Sequence, residues 1–296
     1  MTRPAYLERL GARVAETRTC LCLGIDPDPG ALPPGFPSGL AGVERLAHLL
    51  VDAAAPYAAA VKVNVAFFEA FGSAGIAGAA GDNATGIAGV NWVSPILPVR
   101  VLGKCGGDTS DVVDAVRWAA GLAVDGVPAN PTPARVINLS LGGYSLSCST
   151  SLQNAINDVI AQGAVVVTAA GNEGESASFN EPGNCTGVID VAATGRYGEK
   201  ADYSNYGAKV NLAAPGGGTY DSGIRSTVNA GNREPLEGGS YAYYEGTSMA
   251  APHVSATVAL VLSLVPTLTP SQVLDVLTSS ASPFPTSAPN DTCQAV

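Results

Sequence analysis

The 296-residue sequence has few charged residues, few aromatic residues and only two histidines. Charged residues make up 14% and aromatic residues 6%, whereas hydrophobic residues make up 46%, a balance that excludes a disordered or coiled-coil protein. Fifteen basic residues stand against 25 acidic ones without any basic cluster, so we expect no nucleic-acid partner. The longest uncharged apolar run, residues 256–265, is about half as long as a membrane-spanning helix. We therefore expect no membrane partner.

The two ends of the chain indicate different cellular compartments. The first 19 residues lack the continuous apolar stretch and cleavage site of a secretory signal, which predicts a cytoplasmic chain as the sequence stands. By contrast, Cys105, Cys148, Cys185 and Cys293 lie in polar or Gly-rich segments typical of the disulfide loops of exported proteins. The location therefore stays open.

A change in composition divides the chain near Ile76. Residues 1–76 carry six basic and seven acidic residues, a net charge of −1, which leaves −9 for the remainder. The Gly- and Ala-rich run at residues 72–86 contains the breaker residues expected at a boundary. We therefore predict two domains, residues 1–76 and residues 77–296.

Apolar periodicity predicts an α/β fold on both sides of this junction. Residues 1–76 contain two helical patterns and two strand patterns in the order αβαβ, namely 5–18, 20–25, 42–55 and 59–65. Later strands alternate with helices, which is typical of a mainly parallel sheet covered on both faces. The predicted strands are 96–102, 136–139, 165–169, 188–192 and 210–213, and the predicted helices are 111–123 and 151–161. Thr269, Pro270 and Gln272 predict a capped start of the last helix.

The sequence EGTSMAAPH at residues 245–253 carries the clearest chemical signal. It places Ser248 at the start of an apolar helix, where the hydroxyl projects from a fixed turn and backbone N–H groups face developing negative charge. Taken alone, the Gly-Thr-Ser tripeptide is better explained as a simple N-cap serine. The wider context favours a nucleophile.

That context resembles the subtilisin-like serine proteases of the S8 family over residues 77–296. GTSMAAPHV resembles the family's nucleophile motif, and the other matching segments follow in the family's order and spacing. These are INLSLGG at 137–143, VVVTAAGNEG at 165–174, VNWVSPILPVRVLGKCG at 90–106 and ADYSNYG at 201–207, the last two typical of the secreted bacterial branch. The resemblance implies a doubly wound, mainly parallel sheet.

The resemblance also implies the roles of individual residues in a serine endopeptidase. Ser248 corresponds to the nucleophile and Asn172 to the oxyanion donor, while Ser140, Leu141 and Gly142 correspond to the segment that binds an extended polypeptide. An amide at Asn172 can donate to an oxyanion without carrying a charge, although an Asn in a Gly-flanked turn is the alternative. The family implies a monomer without a cofactor.

The catalytic base and its orienting carboxylate are missing from the sequence. The family supplies Asp, His and Ser in chain order, yet neither an Asp-Thr-Gly or Asp-Ser-Gly turn nor a His-Gly-Thr-His segment is present. His253 corresponds to a structural His of the nucleophile motif, His48 lies in an apolar stretch, and Gly72 aligns with the base. Asp26 and His48 precede Ser248 in triad order, but nothing fixes their geometry. We therefore predict weak or no proteolysis, with a non-catalytic peptide-binding module as the alternative.

Two features of the secreted branch concern disulfides and calcium. Matching positions in that branch imply a disulfide between Cys105 and Cys148, while the other two cysteines named above stay unassigned. Asp82 and Asn83 lie where many relatives have a calcium loop. Because calcium takes six to eight oxygen ligands, a solvated turn is the favoured interpretation and we predict no metal.

Residues 1–76 carry a second resemblance, to orotidine 5′-phosphate decarboxylase. LCLGIDPD at 21–28 and AVKVNVAFFEAFG at 60–72 look like the beginning of that (β/α)8 barrel, and Asp26 and Lys62 correspond to its nucleotide-contacting Asp and the first Lys of its charge network. Two strands cannot close a barrel, so we expect no decarboxylation. The sequence thus predicts a chimera. Its two N-terminal strands either cover the open edge of the protease sheet or belong to a tethered fragment.

Overall fold

The computed structural model describes residues 22–25, 60–63, 73–81, 86–102, 106–218, 222–228 and 240–283, the first two ranges as strands without side chains. The chain divides into two units. The larger comprises Phe68–Val101, Asp108–Asn229 and Gly239–Val296, and the smaller contains the first two strands. The boundary near Ile76 stays a prediction.

The smaller unit contains one pair of parallel strands. β1 (Cys22–Ile25) pairs with β2 (Ala60–Val63), and among the described strands the two form a sheet of their own. The covering of the open edge of the protease sheet by these strands stays a prediction. The helices predicted at residues 5–18 and 42–55 lie outside the described residues, and a barrel fragment is not shown.

A four-stranded parallel sheet forms the centre of the larger unit. Its order is β3-β5-β7-β8, and an antiparallel pair β4-β6 and a hairpin β9-β10 complete the described strands. Their bounds are β3 Val136–Leu139, β4 Gly143–Tyr144, β5 Val165–Ala169, β6 Asn180–Glu181, β7 Ile189–Thr194, β8 Leu212–Pro215, β9 Ile224–Val228 and β10 Ser240–Tyr244. The prediction of a mainly parallel sheet is confirmed.

One predicted strand of the larger unit is wrong. Residues 96–102 form no strand, and Ile96 and Val99 remain exposed. Their apolar alternation is that of a strand, but a strand needs a neighbour for its backbone N–H and C=O groups, and no described strand pairs with this segment.

Helices cover both faces of the sheet. α1 (Thr109–Ala119) and α2 (Thr150–Ala161) pack with Val166, whereas α3 (Thr247–Leu264) and α4 (Pro270–Ser280) pack with its neighbours Val165 and Val167. Successive residues of a strand point to opposite faces, so β5 is buried from both sides, as its apolar sequence requires. The predicted capping box of α4 is confirmed: Thr269 Oγ1 accepts from Gln272 N, and Gln272 Oε1 accepts from Thr269 N.

Helix α3 is the core helix of this fold. Its 18 residues, with a mean hydropathy of 1.4, are long and apolar enough to qualify by composition as a membrane span. However, 56% of it is buried inside the protein, where it packs against β3, β5, β7 and β8. A helix that is apolar on all sides is expected in such a buried position.

The disulfide pairing differs from the predicted one. Cys148 is bonded to Cys185, with the Cα atoms 4.9 Å apart, so the predicted Cys105–Cys148 bond is wrong because each sulfur forms a single disulfide. The two segments meet because β4 pairs with β6 and because Glu181 Oε1 accepts from Ser149 N at 2.6 Å. Chain spacing alone contained no sign of these contacts.

Candidate active site

Ser248 lies in the first turn of α3, and its neighbour Thr247 anchors that turn. Thr247 is fully buried, and its backbone N and Oγ1 donate to Asn172 Oδ1 at 2.8 and 2.9 Å. The same Thr247 hydroxyl accepts from Gly171 N at 3.1 Å. The start of α3 is thereby joined to the loop that follows β5.

These bonds orient the amide of Asn172. Because Oδ1 accepts both hydrogen bonds from Thr247, the donor of this amide is its Nδ2 group. The residue Asn172 is exposed. A Cβ placed on Gly246 would lie 3.5 Å from Asn172 Nδ2 and 3.6 Å from Ser248 N. Two donors, one amide and one helix N–H, therefore lie close to the same point beside Gly246.

The predicted substrate-binding segment also contacts this turn. Ser140 Oγ donates to Ser248 O at 2.8 Å, and Ser248 Oγ donates to Ser140 O at 3.4 Å. Leu141 is half-buried and Gly142 is exposed, directly after β3. A Cβ at Gly142 would lie 2.8 Å from Asn180 Oδ1, so a side chain there would require Asn180 to shift. The structure thus brings Ser248, Asn172 and Ser140 together.

No described histidine contacts the Ser248 hydroxyl. His253, the one histidine in the described part of the chain, has its Nδ1 2.8 Å from Met249 O in its own helix. Burial lowers the pKa of His253, which favours a neutral imidazole. This agrees with a structural role for His253. His48, Gly72 and Asp26 lie outside the described residues.

Three contacting residues escaped the sequence reasoning. Ser73 is buried at the start of helical residues 73–78, and its Oγ donates to Ser140 Oγ at 3.0 Å and to Ser248 O at 3.3 Å. Asn138 Nδ2 also donates to Ser140 Oγ, and Ser255 Oγ donates to Asn138 Oδ1, each at 2.8 Å. The one available signal was that Ser73 follows the residue aligned with the family's base.

The described residues contain one group of three side chains able to hold a metal, Cys148, Glu181 and Cys185. The two sulfurs are bonded to each other, so neither is a thiolate ligand. Asp82 and Asn83 lie outside the described residues. Lys62 lies in β2 opposite Gly24, where only the strand is described.

Known proteins share this arrangement. The model of the subtilase family of peptidases matches residues 71–294, so the chain belongs to that family, and its larger unit is a subtilisin-like serine protease domain. It is 53% identical over 190 residues to an extracellular protease of Xanthomonas campestris and 48% identical over 192 residues to an extracellular basic protease of Dichelobacter nodosus. Each alignment covers 64% of this chain and 32% or 31% of the relative. The chain thus spans about a third of the length of these curated relatives.

Solved structures give the same fold. A structure described as proteases from Pseudoalteromonas arctica is 47% identical, with a TM-score of 0.69, and the match covers 72% of this chain and 63% of that one. A cold-adapted subtilisin-like serine proteinase is 34% identical, with a TM-score of 0.56, over 71% of this chain and 67% of that one. The resemblance of residues 1–76 to orotidine 5′-phosphate decarboxylase gains no support from these comparisons.

Proposed function

We propose that this chain is a serine endopeptidase-type domain with Ser248 as nucleophile and Asn172 as oxyanion donor, and that it hydrolyses peptides weakly or not at all. The observation that supports the proposal is the double hydrogen bond from Thr247 to Asn172 Oδ1, with Asn172 Nδ2 and Ser248 N lying 3.5 and 3.6 Å from the position of a Cβ on Gly246. Donors fixed before reaction stabilise an oxyanion without reorganising.

An extended polypeptide is the proposed substrate, lying along Ser140, Leu141 and Gly142. Attack by Ser248 Oγ on its carbonyl carbon would place the resulting oxygen where Asn172 Nδ2 and Ser248 N donate. The step lacks a base to take the hydroxyl proton, so the proton must pass to water or hydroxide. In serine proteases stripped of their triad, the oxyanion hole and binding alone still give roughly 10³- to 10⁴-fold acceleration over water.

A second candidate is a peptide-binding module without turnover. The contact that favours it is the hydrogen bond from Ser248 Oγ to Ser140 O, since the hydroxyl proton is directed to a carbonyl rather than to an imidazole. Backbone hydrogen bonds to the 140–142 segment would hold a peptide in either case.

Chromogenic peptide hydrolysis, measured beside peptide titration, tests the two candidates. We expect binding and very slow hydrolysis that Ser248→Ala removes, the alanine variant also controlling for contaminating protease. Binding with hydrolysis equal in both proteins would favour the binding module. Rapid hydrolysis abolished by Ser248→Ala would reveal a base, with His48 the first candidate.

For the whole chain we propose a chimera, in which a decarboxylase fragment at residues 1–76 is joined to a protease that acts outside the cell. Support comes from the parallel pairing of β1 with β2, from the family match that begins at residue 71, and from the extracellular proteases among the relatives. Long-read sequencing across codons 65 to 85 in the source genome tests the junction. A continuous reading frame supports a natural fusion, and a break there overturns it.

A further inference from the structure

Asn205 is a buried polar residue that the proposed chemistry does not use. It lies between β7 and β8, and its side chain is 1% exposed. The motif ADYSNYG contains it, but no role was predicted for it from the sequence. Since a buried amide must satisfy its hydrogen-bonding groups, its partners show what it holds in place.

In the described chain, every hydrogen bond of the Asn205 side-chain amide goes to the loop that carries Asn172. Nδ2 donates to Ala170 O at 2.9 Å and to Glu173 Oε2 at 2.8 Å. Oδ1 accepts from Glu173 N at 3.1 Å and from Glu175 N at 3.0 Å. These bonds reach residues on both sides of Asn172, so one side chain fixes the loop before and after the proposed oxyanion donor.

The backbone between these anchor points is fitted closely to Asn205. Gly171 O accepts from Asn205 N at 3.0 Å, and Gly171 has φ +106°, a conformation that favours glycine. A Cβ on Gly171 would lie 2.3 Å from Asn205 Nδ2. The loop therefore passes directly over the amide with no room for a side chain.

We propose that Asn205 is a positioning residue that sets the location of the Asn172 amide, an inference that rests on the proposed function of Asn172. Thr247 holds the amide of Asn172 itself, whereas Asn205 holds the loop backbone from which that amide extends. Loss of the Asn205 donors moves the loop relative to Ser248 N, so the two oxyanion donors no longer meet at one volume. Stabilisation of the oxyanion then falls, while peptide binding along residues 140–142 is retained.

The test compares two ligands that differ only at the reacting carbon, an N-acetylated tetra-alanine peptide aldehyde and the corresponding alcohol. The hydroxyl of Ser248 adds across the aldehyde C=O, forming one C–O bond, breaking the π bond and leaving its proton on the former carbonyl oxygen through solvent. Only this adduct uses the oxyanion donors. The ratio of the two dissociation constants therefore measures the donors separately from peptide binding.

We expect the full chain to bind the aldehyde more tightly than the alcohol, and Asn205→Asp to reduce that ratio by about tenfold, as for the loss of one strong hydrogen bond. This change keeps the shape but replaces Nδ2 with an acceptor that faces Ala170 O and the Glu173 carboxylate. Alcohol binding should stay within about twofold. Adding Glu173→Gln supplies a new donor to that acceptor, so the double variant should recover part of the ratio.

Asn130→Asp is the matched control. Asn130 is likewise buried, with Nδ2 donating to Trp118 O and Ala119 O at the end of α1 and Oδ1 accepting from Thr132 N, so its partners lie outside the loop that carries Asn172. It should lower the melting temperature without changing the ratio. If Asn205→Asp does not fold, Asn205→Ser, whose hydroxyl keeps one donor and one acceptor, should give a smaller fall of the ratio.

Each outcome separates the inference from the proposed function. If the unaltered chain shows no preference for the aldehyde, or if Ser248→Ala keeps it, the proposed function fails. If the preference is present and needs Ser248, but folded Asn205 variants keep it, the positioning role is overturned. An equal fall in Asn130→Asp would also overturn it, because general destabilisation would then explain the loss.

Discussion

The two sides of the site differ in how many hydrogen bonds hold them, the oxyanion side being that of Asn172 and the base side that of residues 73–78. On the oxyanion side, Thr247 binds Asn172 through two hydrogen bonds, and the buried side chain of Asn205 forms hydrogen bonds with the loop that carries Asn172. On the base side, helical residues 73–78 reach Ser248 O through the small hydroxyl of Ser73, and no described imidazole contacts the Ser248 hydroxyl. Under the proposed function, the first side holds its oxyanion donor in place before reaction, whereas the described part of the second side offers a hydroxyl.

The comparison shows that the hydrogen bonds around Ser248 and Asn172 form although no described histidine contacts the Ser248 hydroxyl. The contacts of Ser248, Asn172 and Ser140 all lie within the larger unit, in segments that β3, β5 and α3 hold in position. Under the proposed function, such a domain keeps an oxyanion hole although its base is missing. Changes on each side should alter activity separately, and the following predictions begin with the largest effect.

Restoring the whole base side should have the largest effect. Replacing residues 1–76 with a protease segment that contains Asp-Thr-Gly and His-Gly-Thr-His should raise peptide hydrolysis by about 10⁴-fold or more, a size known from removal of triad members in subtilisin. Chromogenic peptide assays measure the gain, and the same graft with Ser248→Ala is the control. A folded graft without activity would show that the groove itself is damaged.

Removing the oxyanion donor should have the next largest effect. Asn172→Ala takes away the amide donor, and we expect residual hydrolysis to fall by roughly 10²- to 10³-fold, as known for the corresponding donor of a subtilisin. Single-turnover release of chromophore at high enzyme concentration measures this, with Asn130→Ala as control. A loss below about threefold would mean that Asn172 does not face the reacting carbonyl.

A base without its carboxylate should have a smaller effect. Gly72 aligns with the family's base and directly precedes Ser73, whose Oγ donates to Ser248 O at 3.3 Å, so Gly72→His tests whether an imidazole at the aligned position acts as a base. We expect hydrolysis to rise by about 10- to 100-fold, since most of the triad's effect also needs the orienting carboxylate. Steady-state rates at pH 8 measure it. An unchanged rate in folded Gly72→His, with Gly72→Gln as control, would contradict the alignment of Gly72 with the base.

Asp190 lies in the sheet that supports both the oxyanion side and the base side of the site. Changing it should alter the stability of the domain and leave the rate of peptide hydrolysis unchanged. This carboxyl is fully buried in β7, and burial raises its pKa from the usual 3.8 to about 7, although Thr168 Oγ1 donates to it at 2.8 Å. Between these two values the folded state binds more protons than the unfolded state. Stability is therefore highest below pH 4 for this group and falls as the pH rises to 7.

Asp190→Asn should remove this pH dependence. The contribution lost between pH 4 and 8 amounts to up to about 4 kcal/mol of unfolding free energy, which the asparagine variant should retain at both values. Urea denaturation at pH 4 and pH 8 measures it. A variant whose stability falls with pH as steeply as that of the unaltered chain would contradict the raised pKa.

Local patterns in the sequence predicted the frame of the domain well. β3, β5 and the Thr269 capping box follow from apolar runs and from residues at most three positions apart, and the fixed motif around Ser248 marked the nucleophile's turn. Segment 96–102 shows the limit of such patterns, because a strand sequence becomes a strand only where a partner is available.

Polar contacts between distant segments were not predictable in the same way. Thr247 and Asn172 are 75 residues apart, Asn205 and Glu173 are 32 apart, and Cys148 and Cys185 are 37 apart. A single Asn or Cys has no periodicity that reveals its partner, so these pairs become visible only once the sheet has brought their loops together. The wrong disulfide and the missed role of Asn205 share this cause.

The most direct test of a site with a nucleophile but no base is the pH dependence of Ser248 labelling by a fluorophosphonate probe, followed by peptide mapping. Without a base, only the small deprotonated fraction of the serine reacts, so we predict a labelling rate that rises continuously, by about tenfold per pH unit, from pH 6 to 9. A histidine base would instead give a rate that levels off above its own pKa, which for an unperturbed imidazole is about 6.5. A plateau between pH 7 and 9 on Ser248 would contradict the account.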